Sequence, residues 1–228
     1  MKIGYDDILK SIRYSDYENI KNYGIIIEKG IAVEWNKFFI DNKDDNCIVD
    51  EKAEELQLLK YRMRAMQMCC LIEVWEQDLF NYLYDIGQKE SNTELIQVLT
   101  YSRSTKSYLD NRYETIEKGY QILYNVSMTN ISNMKYLRRI VNAIKHGTGR
   151  DFEKIKEEIG EGILADSNFG RINEDGFIER FKQVKYDNNT LTSIVLNLEG
   201  KVEESYNAII KFWDETYKLE KNRRDANV

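Results

Sequence analysis

Apolar residues recur at three- and four-residue intervals through most of this chain, which is the spacing of amphipathic helices. The first such run comprises Ile20, Tyr23, Ile27, Ile31, Trp35 and Phe38. Ser15 to Glu18 precede it and have the form of a capping box, in which a serine side chain closes the first helical turn. We predict that this helix ends near residue 41, where the polar break DNKDDNC begins.

A second, longer helix is predicted over about residues 50–88. Its apolar stripe drifts around the axis, from Leu56, Leu59, Met63, Met66 and Cys70 to Leu71, Trp75, Leu79, Tyr82 and Ile86. Such a drift predicts contacts with more than one neighbour. Further helices are predicted over residues 94–101, 109–123, 133–147, 152–159 and 201–218, with a small β-hairpin within 177–198 and a frayed, charged tail over 219–228.

These patterns predict an all-α fold: one domain over residues 1–228, with long antiparallel helices. The chain contains no proline, which suits long helices. No run reaches 18 apolar residues, so we expect a cytoplasmic protein with no membrane partner. The three cysteines include no C-x2-C pair and there is one histidine, so we expect no metal site and no cofactor. Most of the 16 tyrosines fall on or beside apolar stripes, and we expect them to pack with the hydroxyl at the surface.

The helix predicted over residues 133–147 has two contrasting faces. Its apolar arc comprises Met134, Leu137, Ile140, Val141 and Ile144, and the opposite arc comprises Lys135, Arg139, Asn142 and His146. Arg139 and His146 are two turns apart, roughly 10 Å along the axis. Residues 135–150 include five Lys or Arg and no carboxylate, although the formal net charge of the chain is −6. This basic face predicts an anionic ligand.

The same residues also fit an ordinary helix end. Lys145 and His146 would then meet the negative end of the helix dipole, and Gly147 would supply the left-handed residue that closes many helices. A helical interaction protein without a chemical site is therefore one hypothesis.

Arg139-x6-His146, within the segment LRRIVNAIKHGTGRD, resembles the R-x4-6-H motif of the HEPN superfamily. These are all-helical domains found in many bacterial ribonucleases of toxin and phage-defence systems. The resemblance is closest over residues 131–151 and implies a HEPN-like helical bundle. We assign the motif arginine to Arg139, because Arg138 points some 80–100° away from His146 around the helix. Thr148 stands where one subclass has a tyrosine that a partner enzyme modifies, so the chemistry of that subclass is not implied.

The resemblance implies a metal-independent endoribonuclease that cleaves RNA by attack of the 2′-hydroxyl. Histidine can exchange protons near neutral pH, and arginine can hold phosphoryl oxygens in a bidentate contact. One histidine per chain cannot easily be both acid and base, so we expect a homodimer. An antitoxin or defence-system partner is implied by the resemblance alone. The expected catalytic residues are Arg139, His146 and Asn142, and the expected RNA-binding residues are Lys135, Arg138, Lys145 and Arg150. The alternative is a non-catalytic module that binds RNA, a nucleotide or a protein through the same face.

Overall fold

The computed structural model describes residues 12–104, 108–146, 150–159, 198 and 200–226. They form α1 (Tyr14–Asn42), α2 (Asn46–Glu90), α3 (Thr93–Ser104), α4 (Tyr108–Tyr124), a 3-10 turn (Met128–Asn130), α5 (Met134–His146), α6 (Arg150–Ile159) and α7 (Lys201–Asp225). No strand occurs in these ranges, so the all-α prediction is confirmed for them. The predicted hairpin lies outside the described residues, apart from Leu198.

Local hydrogen bonds explain where the first helices begin. The carbonyl of Arg13 accepts the amide hydrogens of Asp16 and Tyr17 at 2.9 and 3.3 Å, so α1 begins at Tyr14 and the predicted cap, Ser15, lies inside the first turn. The capping-box prediction is therefore wrong. α2 begins four residues before its predicted start, because Asp45 Oδ1 accepts the amide hydrogen of Ile48 at 3.2 Å and caps the helix.

The C-terminal helix also runs further than its sequence pattern predicts. α7 continues to Asp225, whereas we predicted an end near residue 218 and a frayed tail. Glu220 is fully buried and accepts hydrogen bonds from Arg223 at 3.0 and 3.1 Å. Arg223 also donates to Glu90 of α2 at 2.8 Å. The tail prediction is wrong up to Asp225, because Arg223 is paired with Glu220 of its own helix and with Glu90 of α2 rather than solvated.

The chain divides into two compact units, and neither is continuous in sequence. The first unit comprises Met1–Glu18, Leu71–Lys135 and Ser205–Val228, and the second comprises Asn19–Cys70 and Tyr136–Glu204. The prediction of one domain over residues 1–228 stays a prediction.

Aromatic side chains form the core of the first unit. Trp75 and Trp213 are fully buried. Trp75 makes an edge-to-face contact with Phe212, with 5.2 Å between ring centroids, and Trp213 makes one with Tyr82, with 5.6 Å between ring centroids. Such pairs contribute about 0.5–1.5 kcal/mol each beyond the burial of their area. The C-terminal half of the predicted α2 stripe, which includes Leu71, Leu79 and Ile86, is buried throughout.

Several tyrosine hydroxyls are buried inside this core, whereas we expected them at the surface. Tyr17 donates to Asp78 Oδ2 at 2.7 Å, and Tyr124 donates to Glu220 Oε2 at 3.0 Å. The hydroxyls of Tyr82 and Tyr124 lie 2.5 Å apart. Burial raises the pKa of all three phenols well above the usual value, because an ionised phenol would lose its hydration. The expectation of surface hydroxyls is therefore wrong for these tyrosines.

In the second unit, α1 packs on the N-terminal half of α2. Gln67 Nε2 donates to the carbonyl of Ile20 at 2.7 Å, and Arg64 Nε donates to Glu28 Oε1 at 2.7 Å. The two helices enclose a groove of about 230 Å³. Its lining residues are Glu28, Ile31, Ala32, Trp35, Ala53, Leu56 and Lys60.

Only part of the predicted α2 stripe is buried in this unit. Leu56 and Met63 are buried, whereas Leu59, Met66 and Cys70 are exposed. Buried positions also include Ala65 and Met68, which the stripe did not contain. Leu59, Met66 and Cys70 were therefore wrongly assigned to the buried face of α2.

Candidate functional site

The two predicted faces of the motif helix, α5, differ in burial as expected. Met134, Leu137, Ile140 and Val141 of the predicted apolar arc are buried, with at most 2% of each residue exposed. Ala143, which was on neither predicted arc, is buried as well. Arg138, Arg139 and Asn142 are half-exposed, and Lys135, Lys145 and His146 are exposed. The apolar face therefore anchors α5 and leaves the polar face accessible to a ligand. Ile144 also belongs to the predicted apolar arc but is half-exposed, in the last turn of α5.

Arg139, Asn142 and His146 share one face of α5, because α5 is an uninterrupted helix from Met134 to His146. Their spacing of three and four residues places them in a row that spans roughly 10 Å. Arg138 is as accessible as Arg139 but is turned about 100° around the helix. The helix geometry thus brings together Arg139, Asn142 and His146, and places Arg138 to one side.

Asp151 is a residue of this site that the sequence analysis missed. Asn142 Nδ2 donates to Asp151 Oδ2 at 2.7 Å, and both residues are half-buried. Asp151 lies in the first turn of α6, where the positive end of the helix dipole favours a carboxylate. The sequence did contain a signal for Asp151: it is an acidic residue next to Arg150, at the start of a predicted helix.

The contact between Asn142 and Asp151 joins the motif helix to the helix that follows it. Arg150, the first residue of α6, is exposed and adjoins Asp151 in the chain. The Asn142 amide nitrogen is therefore directed towards α6. Since His146 is on α5 and Arg150 begins α6, this hydrogen bond restrains the two helices that carry them.

Lys201 is a second basic residue beside α5 that the sequence analysis did not select. Its Nζ lies 5.4 Å from the ring centroid of Tyr136, on α5. Nζ also donates to Glu204 Oε2 at 2.6 Å. Burial lowers the pKa of Lys201, but its hydrogen bond to Glu204 and its electrostatic interactions with Glu204 and Tyr136 together outweigh that effect, so the pKa is raised overall. Lys201 therefore stays charged next to the motif helix.

Neither a metal cluster nor a membrane-spanning helix is found in the described ranges. Within them, no three or more His, Cys, Asp or Glu side chains are grouped so that they could hold a metal ion. None of the described helices is both long enough and apolar enough to cross a membrane.

Comparisons of this chain with protein-family models, with curated proteins and with solved structures found no match. The class of protein that the structure defines is an all-α protein with a basic helix face. The resemblance to the HEPN superfamily consequently rests on the residues of the motif.

Proposed function

We propose that this protein is a metal-independent endoribonuclease of HEPN type. The observation that carries the proposal is the accessible row of Arg139, Asn142 and His146 on a helix whose opposite face is buried. A helix anchored in this way holds the backbone positions of these three residues in a fixed relation to one another. Fixed positions are what catalysis by charge and proton transfer requires.

In the proposed reaction, the 2′-hydroxyl oxygen of RNA attacks the adjacent phosphorus atom. A bond forms between the 2′-oxygen and phosphorus, and the bond from phosphorus to the 5′-oxygen breaks. One histidine accepts the 2′-hydroxyl proton, and a second donates a proton to the 5′-oxygen. Arg139 binds the phosphoryl oxygens, whose negative charge increases during attack. The products are a 2′,3′-cyclic phosphate and a 5′-hydroxyl.

The second histidine in this scheme is His146 of a second copy, since the chain contains one histidine. The proposed enzyme is therefore a homodimer whose two motifs act on one phosphate. Exposed basic residues beside the motif would bind neighbouring phosphates of the RNA. These are Lys135, Lys145 and Arg150, together with the half-exposed Arg138.

The contact with Asp151 changes the role that we propose for Asn142. Its amide nitrogen already donates to a carboxylate at 2.7 Å. We therefore assign Asn142 to positioning: it holds α6, and with it Arg150, next to the catalytic face. The wider setting follows from the resemblance alone. We propose a cytoplasmic enzyme of a toxin–antitoxin or phage-defence system, with an antitoxin or defence-system partner.

The test is an incubation of the purified protein with total RNA in EDTA. We expect cleavage that leaves 2′,3′-cyclic phosphate ends, and no cleavage of DNA, which lacks the 2′-hydroxyl. Arg139→Ala and His146→Ala should each abolish cleavage while the helical circular dichroism stays unchanged. Arg138→Ala is the matched control, because it removes a neighbouring arginine of similar exposure and should matter less.

Different results would reject this assignment. Products with only 5′-phosphates would rule out attack by the 2′-hydroxyl. Loss of the fold in both Arg139→Ala and His146→Ala would indicate that these residues serve as the end of a helix instead. An equal loss of activity in Arg138→Ala would show that our choice of arginine is wrong.

The second candidate is a non-catalytic module that binds RNA or a nucleotide, or a protein, through the same face. The exposure of Lys135, Lys145 and Arg150 favours it, because binding of an anion needs only accessible positive charge. In this case His146→Ala should retain most of the binding, and affinity for RNA should fall steeply with salt. RNA binding without cleavage by the wild type would select this candidate.

A further inference from the structure

Helix α1 has large apolar side chains that point into solvent. Tyr23, Ile26, Val33 and Ile40 are exposed by 65, 64, 69 and 70%. Together with Gly30 and Lys37, they follow one another at alternating intervals of three and four residues. We call the set Tyr23, Ile26, Gly30, Val33, Lys37 and Ile40 the outer stripe.

The outer stripe is separate from the face by which α1 packs on α2. That packing face includes Gly24, Glu28, Ile31 and Trp35. At about 100° per residue, the centres of the two faces lie roughly 150° apart around the helix. A surface helix ordinarily has one apolar face. The second apolar face of α1 is therefore available for a partner.

The spacing of the outer stripe is that of a coiled coil. Intervals of three and four residues keep one seam facing a partner helix over several turns. In heptad terms, Ile26, Val33 and Ile40 occupy one core position, and Tyr23 and Lys37 belong to the other. A lysine at a single core position is known to select register at some cost in stability. The spacing thus points to a helix as the partner.

The charges beside the stripe favour a second copy of the same helix. Lys29 flanks the stripe on one side, and Glu34 flanks it on the other. In a parallel coiled coil, a residue on the Lys29 side of the stripe faces a residue on the Glu34 side of the partner's stripe, five positions further along the chain. Lys29 of each copy would then face Glu34 of the other copy. An antiparallel pair would not bring these opposite charges together.

We propose that the outer stripe binds the outer stripe of a second copy, as a parallel pair of α1 helices. This interaction does not depend on RNA cleavage or on the proposed function. It does not involve the apolar face of the motif helix. Leu137, Ile140 and Val141 of α5 are buried within their own chain, so they are not accessible to a partner.

The size of the stripe limits how tightly the copies can bind. Four side chains of this kind present on the order of 400 Å² of apolar surface on each copy, at roughly 100 Å² per side chain. A standard protein interface buries about 800 Å² per partner. We therefore expect a reversible dimer that dissociates in the micromolar range.

The experiment measures the mass of the full chain by light scattering, between about 1 and 100 µM protein. The wild type should rise from 27.1 kDa towards twice that mass. Ile26→Glu and Val33→Glu should each raise the dissociation constant at least about tenfold, because each places a charge in the seam. Ile25→Glu is the matched control: it makes the same change on the same helix, at a residue that is 45% exposed but lies off the stripe, and it should have no effect.

Charge reversal tests the parallel arrangement. Lys29→Glu and Glu34→Lys should each weaken association several-fold, and the double variant should restore it. A wild type that stays at 27.1 kDa at 100 µM would overturn the proposal. So would a dimer that tolerates Ile26→Glu and Val33→Glu, or a double variant without restoration. Circular dichroism confirms that each variant is folded. RNA cleavage is measured separately, so that a dimer without cleavage rejects the proposed function and leaves this interface standing.

Discussion

The hydrogen bond between Asn142 and Asp151 can be tested by a double-mutant cycle. Asn142→Ala removes the donor, and Asp151→Ala removes the acceptor. A hydrogen bond to a charged group contributes about 1.5–3 kcal/mol. Both residues are half-buried, so water screens the contact and we expect the lower end, about 1.5 kcal/mol, for the coupling free energy.

Asp151→Ala should cost more than Asn142→Ala, because it also removes a negative charge from the first turn of α6. That charge contributes about 0.3–1 kcal/mol through the helix dipole. Glu153→Ala is the matched control, since Glu153 lies in the same turn but is exposed. It should show only the dipole effect and no coupling to Asn142→Ala.

The measurement is thermal or urea unfolding of the wild type, both single variants, the double variant and the control. A loss of about 1.5 kcal/mol should lower the melting temperature by about 3–6 °C in a protein of this size. A coupling free energy near zero would refute the reasoning, because it would mean that the two side chains do not interact in solution. If the coupling is present but Asn142→Ala leaves RNA cleavage unchanged, Asn142 has no positioning role.

Four further predictions concern stability. Gly24→Ala should destabilise the protein by about 1 kcal/mol or more despite the better helix propensity of alanine, because its Cβ would lie 2.1 Å from Gln67 Nε2 and displace that hydrogen-bonded side chain. Gly30→Ala, with no atom within 4 Å of its Cβ, should stabilise by up to about 1 kcal/mol when unfolding is followed at low protein concentration. Burial raises the pKa of Asp85, so its charged form is disfavoured in the folded state; Asp85→Asn should raise the melting temperature at pH 7, and the gain should vanish near pH 3, where both side chains are neutral. Glu220→Ala should cost about 3 kcal/mol in urea unfolding, because it leaves buried donors without their acceptor.

The helices themselves were determined by local sequence. Periodic apolar residues, polar breaks and the absence of proline predicted α1, α2 and the motif helix to within a few residues of their observed ends. The contrast between the two faces of α5 was also predictable, since residues three and four apart must share a helix face. These features depend on the geometry of a single helix, which the sequence of that helix determines.

Pairing between distant residues was decided by the tertiary structure alone. Nothing local to the charged C-terminal segment indicates that Arg223 reaches Glu90, 133 positions away, and so extends α7. The bond from Asn142 to Asp151 likewise depends on how α6 packs against α5. An apolar side chain has no directional preference, so periodicity alone cannot tell which of two apolar faces is buried. On α1, one apolar face is buried by packing against α2, and the outer stripe is left exposed.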